Sequence, residues 1–379
     1  MTTIDRTRRG VIASLGLLGA APLLQMLPPH ARAADRPSRL RIDALGGPGR
    51  YGAGPDAGLD AQMLADIRAS GLTATNVTIS GVGSYAKDYE ATIAAIARWN
   101  ERIAQHPDLL MLVRSPQDLD TAARSGRLGL IYGTQDATAL GEDLDRVDLL
   151  HRLGVRVFQL TYNRRNLVGD GCMEPADAGL SRFGRELIER LERRRMLIDL
   201  SHSGRRTALE AIAAANGPVA ITHTGCAALA DLPRNKTDAE LRLLAERGGV
   251  AGIYLMPFLR MEGQPMAADV IAHIEHALDV CGEEHVGIGT DGAISPVVLD
   301  DAFRSSFAAL VNERKRLGIG ATNERPDVYT IIPDLNRADR FERLGELLRG
   351  RGHPASRVDR ILGGNFARLF GEAWAPART

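Results

Sequence analysis

The stretch between residues 196 and 224 decides the fold that we expect for this chain. It reads MLIDLSHSG at 196–204, then a helix-like spacer, then PVAITHT at 218–224. Each of the two apolar runs leads to a histidine, His202 in the first and His223 in the second. A buried strand with a polar residue at its carboxyl end is how an α/β barrel presents its functional groups. Two such strands in succession predict two imidazoles side by side on one rim.

The same alternation of short apolar runs and helical segments continues along the chain. Because parallel strands need crossover helices, and because eight strands close a barrel, we predict an α/β fold of the (β/α)8 TIM-barrel type, in one domain over residues 34–379. A doubly wound open sheet is the alternative. The glycine-rich GGPGRYGAG at 46–54 does not fit the GxGxxG turn that such a sheet would favour. The eight strands are expected to begin near Leu40, Leu72, Leu128, Val155, Met196, Val219, Val250 and His285.

The amino-terminal segment predicts the compartment. Arg8 and Arg9 directly precede an apolar segment at 11–27, and Ala31 and Ala33 form an Ala-x-Ala cleavage site. This pattern is typical of a signal peptide over residues 1–33, and the paired arginines indicate twin-arginine export. We therefore expect a periplasmic protein with no transmembrane span.

Composition narrows the class of partner. The chain has 47 lysine and arginine residues and 47 aspartate and glutamate residues, so its formal net charge is zero. Aromatic residues make up only 4% of it. A neutral chain with few aromatic residues does not favour a nucleic-acid partner. We expect a small-molecule partner and leave a homodimer open.

The residues at the predicted strand ends indicate a metal-assisted hydrolase. Neutral imidazole is a common zinc ligand, so His202 and His223 together favour a metal site, although either alone could simply bind a backbone carbonyl. Asp291 is interpreted as a general base for a metal-bound water, with helix capping as the alternative. Arg234 could clamp a substrate carboxylate or be a surface arginine, and Tyr162 could donate to an oxyanion or be a core tyrosine.

The predicted rim as a whole gathers one polar residue from each strand end. Asp199 is expected inside its strand, as a partner of a ligand rather than a ligand. The expected rim residues are Asp43, Thr78, Gln135, Tyr162, His202, His223, Tyr254 and Asp291.

These motifs resemble the membrane dipeptidase (renal dipeptidase) family of zinc peptidases over most of the predicted mature length. The resemblance is carried by an ordered set of segments, which is more specific than any one of them. They are GLSRFG at 179–184, LIDLSH at 197–202, AITHT at 220–224, PRNKTDAEL at 233–241, GGVAGIYLMPFL at 248–259, HVGIGTD at 285–291 and ILGGNFARLF at 361–370.

The resemblance implies a barrel with two zinc ions that cleaves dipeptides. By motif match, His202 and His223 would bind the second zinc, Arg234 the substrate carboxylate, and Asp291 would activate the water. The match fails at the first zinc. The His-x-Asp pair of the family falls on Leu45 and Gly47, and its bridging glutamate falls on Gln135.

The family's histidine near the scissile carbonyl also differs, because it falls on Tyr162. We therefore expect one metal ion, zinc or another divalent ion, on His202 and His223. Gln135, as a tentative ligand, or Asp291 would complete its shell.

The sequence is compatible with three functions. The first is a one-metal hydrolase acting on a dipeptide or a related small amide. The second is a non-catalytic binding protein that kept the pocket and lost the first metal. The third is a metal-assisted lyase or isomerase acting on an amino-acid derivative.

Overall fold

The computed structural model describes residues 39–54, 56–318, 320–321 and 324–375. The predicted signal peptide at 1–33 lies outside these residues. The described residues belong to one compact unit that spans 38–379. Among them, no helix combines the length and the apolar character needed to cross a membrane.

Eight parallel strands form the barrel, as predicted. Their order around it is β1-β3-β5-β6-β7-β8-β9-β10, and neighbouring strands in this order pair in parallel. The strands are β1 (Ile42–Asp43), β2 (Gly46–Gly47), β3 (Ala74–Thr78), β4 (Leu110–Leu112), β5 (Leu128–Thr134), β6 (Val155–Gln159), β7 (Leu197–Asp199), β8 (Ala220–Thr224), β9 (Val250–Ile253), β10 (Val286–Ile288) and β11 (Gly292–Ala293).

The barrel closes between its first and last strands. The Ala44 amide donates to the Ile288 carbonyl at 2.9 Å, and the Asp291 amide donates to the Leu45 carbonyl at 2.7 Å. Just beyond them, β2 pairs with β11 as a separate two-stranded ladder. The chain segment with Leu45 and Gly47 is therefore part of the seam that joins the two ends of the sheet.

Helices separate the strands, and several begin at residues that the sequence marks as caps. Ser115 and Asp118 form a capping box before α3, and Thr237 and Glu240 form one before α7, which satisfies amides that have no partner within the helix. The helices are α1 (Ala61–Ser70), α2 (Asp88–Gln105), α3 (Pro116–Ser125), α4 (Asp145–Arg152), α5 (Arg182–Arg193), α6 (Arg205–Ala214), α7 (Asp238–Glu246), α8 (Ala267–Cys281), α9 (Asp301–Arg316), α10 (Arg340–Gly350), α11 (Ala355–Asp359) and α12 (Asn365–Trp374).

The last helix closes one end of the barrel. Phe366, Phe370 and Trp374 of α12 pack in one buried cluster with residues from the strands, such as Ile42 and Val250 at the strand starts. Because this plug fills the amino-terminal end of the strands, the opposite end is left for a functional site, as is usual for this fold.

Candidate active site at the carboxyl end of the barrel

The two histidines lie together, as their positions predict. His202 follows β7 and His223 lies within β8, with their ring centroids 5.0 Å apart and the planes inclined at 60°. Both side chains are buried. Burial and the nearby Arg234 guanidinium hold the pKa of each imidazole well below its usual range. Both rings are therefore neutral at neutral pH, which is the form that binds a metal.

Each imidazole is oriented through its Nδ1 atom. His202 Nδ1 lies 2.8 Å from Asn163 Oδ1, and since that oxygen can only accept, Nδ1 donates. His223 Nδ1 lies 2.9 Å from Thr222 Oγ1. That hydroxyl donates its proton to Asp199 Oδ2 at 2.6 Å, so it accepts from His223 Nδ1. Both lone pairs are consequently on the Nε2 atoms, and these two buried atoms have no hydrogen-bond partner among the described residues.

Asp199 supports the His223 side of this arrangement through hydrogen bonds. Its Oδ1 accepts from the Ser201 hydroxyl at 2.6 Å and from the Thr222 amide at 2.9 Å. Burial raises the pKa of this carboxyl, while the hydrogen bonds from Ser201 and Thr222 oppose the rise. Asp199, Thr222 and His223 thus form a continuous chain that fixes the orientation of one imidazole.

Arg234 lies in the buried layer with the histidines rather than on the surface. Only 2% of the residue is exposed, and its Nη1 donates to the Ser201 carbonyl at 2.6 Å. Its Nη2 is buried without a partner among the described residues. A buried N–H group without an acceptor is costly, by about 1–3 kcal/mol, so this atom is suited to bind an incoming acceptor.

A cavity of about 550 Å³ opens at the same end of the barrel. Tyr162, Asp291 and Gln135 line it, together with Leu45 and Gly47. Gln135 is half-buried, and its Nε2 donates to Thr78 Oγ1 at 2.7 Å.

Tyr162 connects the cavity to the histidines. Its ring stacks on that of His202 with the centroids 4.1 Å apart and the planes inclined at 26°. Arg314 of α9 is hydrogen-bonded to its side chain. Burial raises the pKa of the hydroxyl, so Tyr162 remains a neutral hydrogen-bond donor at neutral pH. The phenol ring therefore lies between the cavity and the His202 imidazole.

Asp291 is held in a conformation that aspartate adopts rarely, with φ of 56°. Its amide bonds to Leu45 at the barrel seam, and its side chain lines the cavity. Burial raises the pKa of its carboxyl to about 6, while Arg234 and Arg314 limit the rise. A carboxylate with this pKa is ionised at neutral pH and still basic enough to accept a proton.

The structure groups these residues differently from the predicted rim. Neither histidine is among the residues that line the cavity. Within the described ranges, no group of three or more His, Cys, Asp or Glu side chains could hold a metal ion, so Asp291 does not complete a cluster with His202 and His223. The two histidines form a pair whose further ligands would be of another kind.

Two residues expected on the rim are turned away from the cavity. Asp43 accepts from the Thr290 amide at 2.7 Å and from its hydroxyl at 2.6 Å, because it joins the first and last strands. Tyr254 is fully buried and donates to Asn235 Oδ1. These residues stabilise the barrel and the loop after β8, and neither contacts the cavity.

The cavity also contains side chains that the strand pattern could not predict. Trp99 comes from α2, Arg314 from α9 and Arg340 from α10. They reach the cavity from helices, two of which follow the last barrel strand, so no pattern at the strand ends indicates them.

Known proteins of similar sequence agree with this architecture. A family model described as membrane dipeptidase (peptidase family M19) matches residues 63–325. Dipeptidase verJ of Clonostachys rogersoniana is 32% identical over 237 residues, which cover 60% of each chain. Dipeptidase ataJ of Aspergillus terreus is 26% identical over 268 residues, covering 62% of this chain and 64% of that one. The chain thus spans less than two thirds of the length of these curated relatives.

Solved structures extend the likeness over more of the chain. An amidohydrolase from Pseudomonas aeruginosa has a TM-score of 0.75 and 32% identity, covering 88% of this chain and 96% of that one. A metallo peptidase from Rhodobacter sphaeroides, liganded with a phosphinate mimic of the dipeptide L-Ala-D-Ala, has a TM-score of 0.71 at 20% identity, covering 88% and 99%. The second likeness supports the fold alone. With the family model matching well over half of its length, the chain belongs to the membrane dipeptidase family, peptidase family M19.

Proposed function

We propose that this chain is a dipeptidase-like hydrolase that cleaves a dipeptide or a related small amide with one metal ion, zinc or another divalent ion, held by His202 and His223. The observation that carries the proposal is the pair of buried Nε2 atoms without partners. Buried polar atoms are normally hydrogen-bonded, so the two unpartnered Nε2 lone pairs on neighbouring imidazoles support a bound ligand at this pair. The Nδ1 bonds supply the orientation that metal-binding histidines require.

The residues beside the cavity support one metal ion rather than two. Leu45 and Gly47 have no ligating side-chain atom, and the Gln135 amide lacks the negative charge that holds two cations close together. These residues do not fit a first metal ion of the family type. A single ion on the histidine pair is the arrangement that the donor atoms support.

We assign each further residue a role in this reaction. A bound divalent ion would supply a more acidic water and polarise the amide. Asp291 accepts a proton from the attacking water, because its carboxyl is ionised at neutral pH. The Tyr162 hydroxyl donates to the oxyanion that forms on the scissile carbonyl. Arg234 offers its unpartnered Nη2 to the carboxylate of the substrate.

A second candidate is a ligand-binding homologue without turnover. It is favoured by the lack, within the described residues, of a metal cluster with three His, Cys, Asp or Glu side chains, and by the position of both imidazoles outside the cavity lining. Such a protein would bind its ligand in the cavity through the arginines. The two histidines would then have no catalytic role.

We also propose that the protein works in the periplasm after twin-arginine export. The support is the Arg8-Arg9 pair before an apolar segment and the Ala-x-Ala site that ends at Ala33. Cell fractionation of the full-length chain beside an Arg8→Lys, Arg9→Lys variant tests this. Retention of the variant in the cytoplasm supports the proposal, and unchanged export argues for another route.

The hydrolase proposal is tested on the purified mature chain. The bound metal is measured by elemental analysis, and a panel of dipeptides is assayed for wild type, His202→Ala and His106→Ala. His106, at the end of α2, provides the matched loss of one imidazole away from the site. One metal ion per chain and hydrolysis that is lost only in His202→Ala are expected. Metal without hydrolysis would favour the binding protein, and no metal under zinc-replete conditions would exclude the one-metal hydrolase.

A further inference from the structure

The cavity is richer in cations than in anions. Six arginines line it, against two carboxylates, Asp291 and Glu324. Within the described residues, four of the six have a carboxylate oxygen within 4 Å. These pairs are Arg50–Asp60 at 2.8 Å, Arg98–Asp56 at 3.5 Å, Arg314–Glu324 at 2.8 Å and Arg325–Asp327 at 2.6 Å. Of the other two, Arg102 donates to the Ala57 carbonyl at 2.6 Å and lies over the Trp99 ring, and Arg340 is the sixth.

Arg340 is held by carbonyl groups rather than by carboxylates. Its Nε donates to the Arg337 carbonyl and its Nη2 to the Ile294 carbonyl, both at 2.8 Å. Among the described residues, no carboxylate oxygen lies within 4 Å of its guanidinium. The remaining nitrogen, Nη1, makes no hydrogen bond within that part of the chain. Nη1 lies beside Gly292 of the β2–β11 ladder. A Cβ atom added to Gly292 would be 3.7 Å from it.

The position of the Arg340 guanidinium is energetically unfavourable in the ligand-free protein. The residue is half-buried, and burial lowers the pKa of its guanidinium, although an arginine stays charged at neutral pH. Arg340 is also the first residue of α10, where the helix dipole disfavours a cation by about 0.3–1 kcal/mol. A desolvated cation without an ion-pair partner is costly, and a bound anion would offset that cost.

Two acidic side chains stabilise the charged form of Arg340 without forming an ion pair with it. Asp43 and Asp66 both act on Arg340 through space. Asp43, however, is occupied by the amide and the hydroxyl of Thr290. The uncharged residues Leu45 and Gly47 complete this side of the cavity and bring no carboxylate to it.

We propose that Arg340 binds a second anionic group of the substrate within the cavity. The preferred substrate is then a dipeptide-like amide with two negative groups, one carboxylate at Arg234 and a second anionic group at Arg340. A guanidinium with a free N–H directed at a carboxylate forms a charge-assisted hydrogen bond. This inference rests on the proposed function, because it names the substrate class of the same site.

The test compares the dipeptides Glu-Ala and Gln-Ala, which match in size and differ in one negative charge. Their affinities are measured by calorimetry on the metal-loaded chain carrying Asp291→Asn, which slows turnover. The same titrations are made after adding Arg340→Gln, Arg340→Lys or Arg325→Gln. Arg325→Gln is the matched control, since Arg325 lines the same cavity and is already paired with Asp327.

We expect Glu-Ala to bind roughly tenfold more tightly than Gln-Ala, the ratio that corresponds to one charge-assisted hydrogen bond. Arg340→Gln should reduce this ratio to near one, Arg340→Lys should keep part of it, and Arg325→Gln should leave it unchanged. Arg340→Lys keeps the positive charge, so it guards against a general loss of folding in Arg340→Gln.

Other results would overturn the inference. They are equal affinity for the two dipeptides, no measurable binding of either, or a ratio that Arg340→Gln does not change. A lower melting temperature of Arg340→Gln with an unchanged ratio would assign Arg340 a purely structural role. Charge-selective binding without hydrolysis in the chain that retains Asp291 would leave this inference standing and reject only the hydrolase proposal.

Discussion

Tyr162 lies against His202 with the ring centroids 4.1 Å apart, and it also lines the cavity. The phenol ring therefore lies over one face of the imidazole, between that face and the cavity. The His202 Nε2 atom is closed to solvent. Tyr162 is thus both a candidate hydrogen-bond donor to the reaction and a residue that separates the histidine pair from the cavity.

Removing the Tyr162 ring should make the histidine pair more accessible from the cavity. In Tyr162→Ala we expect the bound metal to be withdrawn by a chelator several-fold faster than in wild type, because the ring no longer covers His202. The rate is measured by stopped-flow mixing with a coloured zinc chelator. Tyr162→Phe is the matched control, since it keeps the ring and loses only the hydroxyl. Equal release rates in all three proteins would contradict a covering role.

Tyr162→Phe carries a second expectation of its own. If the hydroxyl stabilises the oxyanion, its loss should lower kcat by about 10²-fold while the bound metal stays at the wild-type level. Steady-state kinetics on the best dipeptide of the panel, together with elemental analysis, measure the two quantities. A variant with wild-type kcat would show that the phenol only packs against His202.

The support behind His223 can be tested through Thr222. Thr222→Val removes the hydroxyl that accepts from His223 Nδ1 and donates to Asp199 Oδ2. We expect metal affinity to fall by about 10–100-fold, because the imidazole loses the partner that fixes its tautomer and orientation. Competition against a chelator of known affinity measures the change. Thr92→Val, which removes a buried hydroxyl on α2, should leave the affinity unchanged.

The pH dependence of hydrolysis should report Asp291. Burial raises the pKa of this carboxyl to about 6, and only its ionised form can accept a proton from water. Activity should therefore be full above neutral pH and fall tenfold per pH unit below about pH 6. The profile of kcat/KM against pH measures this. Asp291→Asn should remove most of the activity at every pH, and a wild-type profile that is flat from pH 5 to pH 8 would exclude this role.

The fold could be predicted from the sequence because the signals for each strand and helix of the barrel lie within short segments of the chain. Each strand is a short apolar run, and the helices between them begin at cap residues such as Ser115 and Thr237. Hydrophobic periodicity and capping depend on near neighbours in the chain, so they can be read without knowledge of distant contacts. The pairing of His202 with His223 follows from the same logic, since successive parallel strands are neighbours.

The direction in which individual side chains point could not be predicted from these local signals. Asp43 and Tyr254 stand near strand ends as expected, but Thr290 and Asn235 provide partners that turn them away from the cavity. Arg314 and Arg340 enter the cavity from helices beyond the last barrel strand. These outcomes depend on contacts between residues far apart in the chain, which neither composition nor periodicity specifies.

Asp43 allows a test of the barrel seam that is independent of activity. Burial raises the pKa of its carboxyl from 3.8 to about 7, so the folded protein holds this proton more tightly than the unfolded chain does. The contribution of the protonated form to stability is full below about pH 4 and is lost as the pH rises through about 7. The loss is on the order of 4 kcal/mol, from 1.36 kcal/mol for each pKa unit.

Urea unfolding at pH 5 and pH 8 measures the part of this loss that falls between those pH values, on the order of 3 kcal/mol from the two pKa units between pH 5 and about 7, as the difference between wild type and Asp43→Asn. The asparagine can still accept from the Thr290 amide, and the Thr290 hydroxyl can keep its contact with the Leu45 carbonyl at 3.4 Å. Since the amide does not titrate, the free energy of unfolding of Asp43→Asn should fall less than that of wild type between the two pH values. Parallel falls in the two proteins would mean that the seam carboxyl is ionised throughout, with the hydrogen bonds from Thr290 outweighing the cost of burial.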